Sequence, residues 1–188
     1  MTTLLGAAVR LAAERGPASV TMSAVARAVG APSGSVYHRF PRHAALLAEL
    51  WLYTVNRFQE GFLAALGQEP AEEAAVAAAL HVVGWAREHP QEARILLYGP
   101  ADFALPDWPA EATRRLKSAN RQVKDALDAL AKRLGYVTAL DRERLTLCTI
   151  DLPYAFVRRH LLNAEEIPAS AEDTLKLSAE SILSPNKS

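Results

Sequence analysis

The chain has 188 residues, half of them apolar, and its 21 basic side chains balance 21 acidic ones to a formal net charge of zero. That balance excludes a general polyanion binder. The lone cysteine, Cys148, excludes an intrachain disulfide and suits a reducing compartment, and no apolar run approaches the ~20 residues of a membrane span. Alanine is abundant and no strand-like alternation stands out, so the whole chain reads as helical, with length for one fair-sized core or two small ones.

In chain order, a first helix runs from about Leu4 toward Gly16. A second covers Ser23–Val29, with Ala24, Val25, Ala28 and Val29 at helical spacing, Thr21 or Ser23 as cap, and Gly30 as the left-handed exit. The third is about two turns, Ser33–Phe40. Val36 and Phe40 face inward with Tyr37 beside them, and Ser33, Gly34, Ser35, His38 and Arg39 are left outside. A fourth, long helix spans Arg42–Leu66, and a fifth Ala71–Glu88 stops at Pro90. A short sixth covers Gln91–Leu97, and a Pro-rich loop follows from Tyr98 to Pro109. The seventh runs Ala110–Leu134 and ends at Gly135. The eighth runs Asp141–Asn163, capped by Asp141 and kinked at Pro153. The ninth runs Ala169–Leu183 between Pro168 and Pro185. That makes about nine helices, with no repeats.

Two short helices joined at a glycine, the second with a small, polar and basic outer face, read as a helix-turn-helix whose second member enters a DNA major groove. Charge supports this. Residues 1–50 carry Arg10, Arg15, Arg27, Arg39 and Arg42 against Glu14 and Glu49, a local balance of +3 that the rest of the chain offsets.

The segment from Leu4 to about Leu50 resembles the DNA-binding domain of the TetR (tetracycline repressor) family of bacterial regulators. The matching residues are Ala7-Ala8, Leu11 and Ala13-Glu14-Arg15-Gly16 in the first helix, Thr21 and Val25-Ala26 in the second, and Gly30 at the turn. Gly34-Ser35-Val36-Tyr37, Phe40 and Leu46-Leu47 follow. Three features depart from the family pattern. His43 stands where a lysine is usual, Pro32 where a serine cap is common, and Met1-Thr2-Thr3 offers no basic residues, so no minor-groove arm is expected. The resemblance implies an all-α protein of nine helices: a three-helix DNA-binding domain, residues 1–47, and a helical effector-binding and dimerisation domain, residues 48–188.

Within that frame Ser33, Ser35 and His38 are the candidates for base edges, and Gly34 permits close approach. Tyr37 donates its hydroxyl to a phosphate in the family pattern. Thr21, Arg39, Arg42 and His43 are further phosphate candidates, with helix capping as Thr21's alternative role. Phe58, Phe62, His81, Trp85, Tyr98, Asp102, Phe103, Trp108 and Tyr154 are candidates for a ligand pocket or simply core. The resembled family pairs its last two long helices with their mates in a four-helix bundle. Leu145, Ile150, Val157, Leu161, Leu175, Ser178 and Ile182 are the candidate dimer contacts.

Catalysis and metal binding find no support. There is no Gly-rich phosphate loop, no His-x-x-x-His pair and no cysteine pair, and no carboxylate stands by to orient His38 toward Ser33 or Ser35. No leader is visible at Met1–Gly6. The expectation is a cytoplasmic, non-enzymatic, cofactor-free regulator. It binds double-stranded DNA as a homodimer, without membrane association, and is released by a small, partly apolar or aromatic effector. A regulator with no effector, and a helical enzyme or partner-binding module, are the alternatives.

Overall fold

The computed structural model describes residues 3–183, apart from the side chains of Thr3 and Ser33. Among them every regular element is helical: α1 (Thr3–Arg15), α2 (Met22–Ala28), α3 (Ser33–Arg39), α4 (His43–Leu66), α5 (Ala71–Glu88), α6 (Pro90–Ile95), α7 (Ala110–Arg133), α8 (Ala139–Thr146), α9 (Leu152–Leu162) and α10 (Ala171–Leu183). The π-helical segment Leu147–Asp151 joins α8 to α9 as one rod, so the described residues form nine rods, as the sequence implies. The stretch read as a loop before Pro109 contains two 3-10 turns, Pro100–Phe103 and Leu105–Asp107. Pro185, read as the stop after the last helix, lies outside the described residues.

Local chemistry sets most of the ends. Thr21 Oγ1 accepts the Ala24 N–H at 3.1 Å, which makes Thr21 the cap of α2. Gly30, at φ 65°, ends that helix. Its N–H donates to Arg27 O, and that of Ala31 donates to Ala26 O, so the last-turn carbonyls are satisfied. Gly135, at φ 72°, repeats the arrangement after α7. The start of α8 corrects the sequence reading. The cap is Thr138, and Asp141 is the third residue inside, accepting the Thr138 N–H in return at 3.1 Å. The Thr138 hydroxyl and N–H hold the Asp141 carboxyl below the usual carboxylate range. Where a kink at Pro153 is expected, the helix widens into the π segment just before it, a local adjustment to a residue that has no N–H.

The chain divides into two compact units. The first takes the chain up to Arg57 together with His89–Ala119. Its core gathers Val9, Val25, Val36, Phe40, Leu46, Leu50 and Trp51 with Ile95, Phe103, Trp108 and Leu116. Each fully buried large apolar side chain here contributes roughly 1.5–3 kcal/mol. The Trp51 and Phe103 rings lie 5.2 Å apart, and Trp108 Nε1 donates to Phe103 O at 2.6 Å. The expected boundary after residue 47 therefore falls inside this unit, because α6, the 3-10 turns and the first turns of α7 share the core of the helix-turn-helix.

The second unit comprises Phe58–Glu88 and the chain from Asn120 onward. Its hub is α5, packed against α9, α10 and the π segment. Ala71, Ala74, Ala75, Ala78 and Ala79 are buried along α5, and their small side chains let the neighbouring helices close in. Arg87, near the end of α5, donates to the carbonyls of Ile167 and Pro168 and pairs with Glu172, fastening the α9–α10 connection. Arg133 donates to Leu66 O at 2.9 Å and pairs with Glu69 at 3.0 Å, capping the end of α4.

That packing corrects the expected assembly surface. Leu145, Val157 and Leu175 are buried within the unit's own core, each at most 4% exposed. Periodicity finds an apolar strip but does not say what covers it, and this strip is covered by the chain itself. Ile150, Leu161, Ser178 and Ile182 lie at its half-buried edge. The outward apolar residues of the rod Ala139–Leu162 and of α10 are Leu140, Leu147, Tyr154, Leu162 and Leu177.

Candidate nucleic-acid interface

In α3, Val36 and Phe40 are buried against the first unit's core, while Gly34, Ser35, Tyr37, His38 and Arg39 are exposed. Tyr37, expected beside the inward pair, is 54% exposed and lines the same face as Thr21, Met22 and His43. The side chain of Ser33 lies outside what is described.

Hydrogen bonding fixes what each group still has to offer. Ser35 Oγ donates to Pro32 O at 2.7 Å, so its hydroxyl proton is engaged while its lone pairs stay open to a base amino group. This bond occupies the carbonyl of Pro32, the N-cap residue, which makes no side-chain cap of its own. Thr21 caps α2 through a lone pair, which leaves its O–H able to donate; capping and phosphate binding are compatible in one hydroxyl. A Cβ built on Gly34 meets nothing within 4 Å, and its backbone is ordinary helix. Nothing inside the protein requires glycine there, and the open space lies where an external body approaches.

Thr21, Met22, Ser23, Tyr37 and His43 line a notch of about 390 Å³ on this face. Three hydroxyls and an imidazole around such a notch can hold one backbone phosphate, close to the positive N-terminus of the 24-residue α4. His43 Nε2 lies 2.5 Å from Val20 O, so the ring is already anchored to the turn before α2. Arg39 and Arg42 are exposed, and neither is in an ion pair among the described residues. From Arg15 to Ala48 the chain has no carboxylate. Met22 and Ser23 were missed from sequence, because the notch forms only when α2 and the start of α4 meet.

The nine pocket candidates do not share one unit. Phe58, Phe62, His81 and Trp85 cluster in the second: Phe58 lies 5.7 Å from Phe62, and 5.3 Å from both His81 and Trp85. His81 Nε2 donates to Phe58 O at 2.9 Å. Tyr154, also in the second unit, is exposed. Tyr98, Asp102, Phe103 and Trp108 belong to the first unit, where Phe103 and Trp108 are core and Asp102 accepts the Gly99 N–H at 2.7 Å. No group of three or more His, Cys, Asp or Glu among the described residues is placed to hold a metal, and no described helix is long and apolar enough to cross a membrane.

Residues 4–50 match the family model of bacterial regulatory proteins, tetR family. None of the curated proteins matches the chain in sequence. Several solved structures share its fold over nearly its whole length. A TetR-family regulator from Marinobacter aquaeolei VT8 aligns with TM-score 0.73 and 19% identity, over 96% of this chain and 93% of the other. The fatty acid degradation regulator FadR from Bacillus halodurans gives 0.72 and 17%, over 98% and 95%. FadR from Bacillus subtilis, solved in complex with stearoyl-CoA, gives 0.65 and 16%, over 96% and 94%. The exposed reading helix, the acid-free basic face and the N-terminal family match agree: residues 4–50 are similar to the bacterial regulatory proteins of the tetR family, and the chain shares the fold of solved TetR-family regulators over nearly its whole length.

Proposed function

We propose that the chain is a cytoplasmic, dimeric repressor that binds a near-palindromic operator and is released by a small molecule. The first unit reads DNA through its N-terminal helices, and the second, Phe58–Glu88 with the chain from Asn120 onward, carries effector binding and dimerisation. α3 lies in the major groove: Gly34 gives close approach, and Ser33, Ser35 and His38 face base edges. Thr21, Tyr37, Arg39, Arg42 and His43 hold the flanking phosphates. Two copies reach half-sites about one helical turn (~34–36 Å) apart through a two-fold contact built on the outward residues of α8, α9 and α10. The observation that carries the reading is the outer face of α3, small, polar and basic, on a segment without a single carboxylate.

The aromatic group Phe58, Phe62, His81 and Trp85 supports an effector with a substantial apolar part, and a fold neighbour that binds stearoyl-CoA supports the same class. Release requires the effector to bind the DNA-incompetent state more tightly, and ~1–3 kcal/mol of coupling corresponds to a loss of operator affinity of about five- to 150-fold.

Selection of bound duplexes from a random library, at moderate salt, tests the proposal. Enrichment of a two-fold symmetric site is the expected result. Failure to enrich any sequence with folded protein, at low and at moderate salt, overturns it.

A further inference from the structure

We infer that DNA binding by this chain takes up protons, because His43 can donate to a backbone phosphate only as an imidazolium. The inference rests on the DNA-binding reading above and adds a condition under which it operates.

The tautomer comes first. His43 Nε2 lies 2.5 Å from the carbonyl oxygen of Val20, and a carbonyl only accepts. The hydrogen is therefore on Nε2. In the neutral ring the other nitrogen, Nδ1, is then a bare lone pair. A phosphate oxygen meeting that lone pair is repelled, since both are acceptors. The contact becomes favourable only when Nδ1 also carries a proton, and the ring is then a cation with two donors, one on Val20 and one for the phosphate.

The surroundings direct that proton to the DNA complex. His43 shares its notch with Thr21, Met22, Ser23 and Tyr37, and Tyr37 is the one other titratable group in that wall. The elements around the notch contribute Arg27 from α2, His38 and Arg39 from α3, and Arg42 from the turn before α4. No carboxylate occurs between Glu14 and Glu49, and Glu49 is paired with Arg115 at 2.5 Å. The residues that line the notch thus offer no carboxylate to a charged ring, and an arriving phosphate supplies an anion. A lysine at this position would be charged at every physiological pH. A histidine makes the contact conditional.

The sign follows from linkage. A group that binds its proton more tightly in the complex than in the free protein strengthens binding as pH falls, by up to about tenfold per pH unit for each proton taken up. Affinity is therefore highest on the acid side and declines as pH rises through the imidazole range.

The test is fluorescence anisotropy with a short, labelled, mixed-sequence duplex at fixed ionic strength, from about pH 5.5 to about pH 8.5. A mixed-sequence duplex serves because the phosphate contact is sequence-independent. Wild type should bind progressively more weakly as pH rises. His43→Lys should bind tightly with most of the slope removed, and His43→Gln should bind weakly with the slope likewise removed. His38→Asn should keep it, which separates the reading helix from the notch. Calorimetry of wild type and His43→Lys in two buffers of different ionisation heat counts the protons directly, and decides the matter if His43→Gln does not fold. A flat wild-type profile, or an undiminished slope or proton count in the His43 variants, overturns the inference and leaves the DNA-binding reading standing. Absence of duplex binding by wild type at any pH overturns both.

Discussion

The imidazole of His81 occupies the space a side chain at Gly61 would need: a Cβ on Gly61 falls 2.3 Å from His81 Cε1 and 2.9 Å from Nδ1. Gly61 lies inside α4, where alanine ordinarily stabilises by roughly 0.5–1 kcal/mol. Here the sign should reverse. In Gly61→Ala the ring must swing away, losing its bond to Phe58 O and its packing on Phe58 and Phe62. A net loss of about 1 kcal/mol is expected, within the usual range for overpacking. Chemical denaturation of Gly61→Ala, His81→Ala and the double variant checks this. In the His81→Ala background Gly61→Ala should turn stabilising, and additivity of the two changes would show that the ring does not set the cost.

Gly34 presents the opposite case. No atom of the protein lies within 4 Å of where its Cβ would be. Gly34→Ala should therefore raise stability by about 0.5–1 kcal/mol. The same methyl group projects into the gap that DNA must enter, so duplex affinity should fall, by tenfold or more if the approach is a close one. Thermal unfolding and anisotropy on the same preparation separate the two effects. A variant that is more stable and binds DNA unchanged would remove Gly34 from the interface.

These two glycines mark how far the sequence is legible. The helix-turn-helix reads cleanly because its signals are local: the Thr21 cap, Gly30 in left-handed backbone, and Val36 and Phe40 one turn apart. Helices bounded by proline or glycine read equally well, as with Ala71–Glu88 before Pro90. Where the chain departs from the usual residue, the cue disappears. Ala164, at φ 54°, ends α9 with the paired bonds that Gly30 and Gly135 make, and an alanine gives no sign of it. Partnership is harder still. Leu145 and Leu147 are two residues apart on one amphipathic rod, yet one is core and the other exposed. Phe103 belongs with Trp51, fifty-two positions away, rather than with the aromatics of α5, and no spacing rule announces such a pairing.

Cys148 yields a prediction in pH. It is buried on the π segment, its Sγ donating to Leu145 O at 3.3 Å, and burial pushes the thiol from its ordinary 9.0 up to about 12. At pH 8 the native thiol should resist a disulfide reagent and react only on unfolding. The stability consequence has a definite sign. Below about pH 9 the thiol is protonated folded and unfolded, and contributes no pH dependence. From about 9 toward 12 the unfolded chain releases the proton while the folded chain keeps it, so stability declines as pH rises. Cys148→Ala should remove that part of the alkaline decline, although its smaller side chain also leaves a cavity. Thiol titration with and without denaturant is the direct check, and rapid labelling of the native protein would contradict the burial.

The outward residues of the last helices give the sharpest test of assembly. Leu140, Leu147, Tyr154 and Leu162 recur at about two-turn intervals along α8 and α9, and Leu177 on α10 is 67% exposed. Asp151 and Arg158 lie exposed on the same rod, opposite charges that a two-fold axis can bring together. A carboxylate in such a seam is desolvated without a partner, whereas in the monomer it stays in water. Leu147→Glu and Leu177→Glu should therefore leave the fold and its melting transition nearly intact, convert the dimer to monomer in sedimentation velocity, and weaken operator binding because two half-sites are no longer held together. Leu145→Ala is the contrasting variant. It removes a buried side chain from the unit's own core and should cost roughly 2–5 kcal/mol of stability with the association constant little changed. Dissociation by Leu145→Ala together with an intact dimer in both glutamate variants would return the interface to the strip that periodicity first suggests.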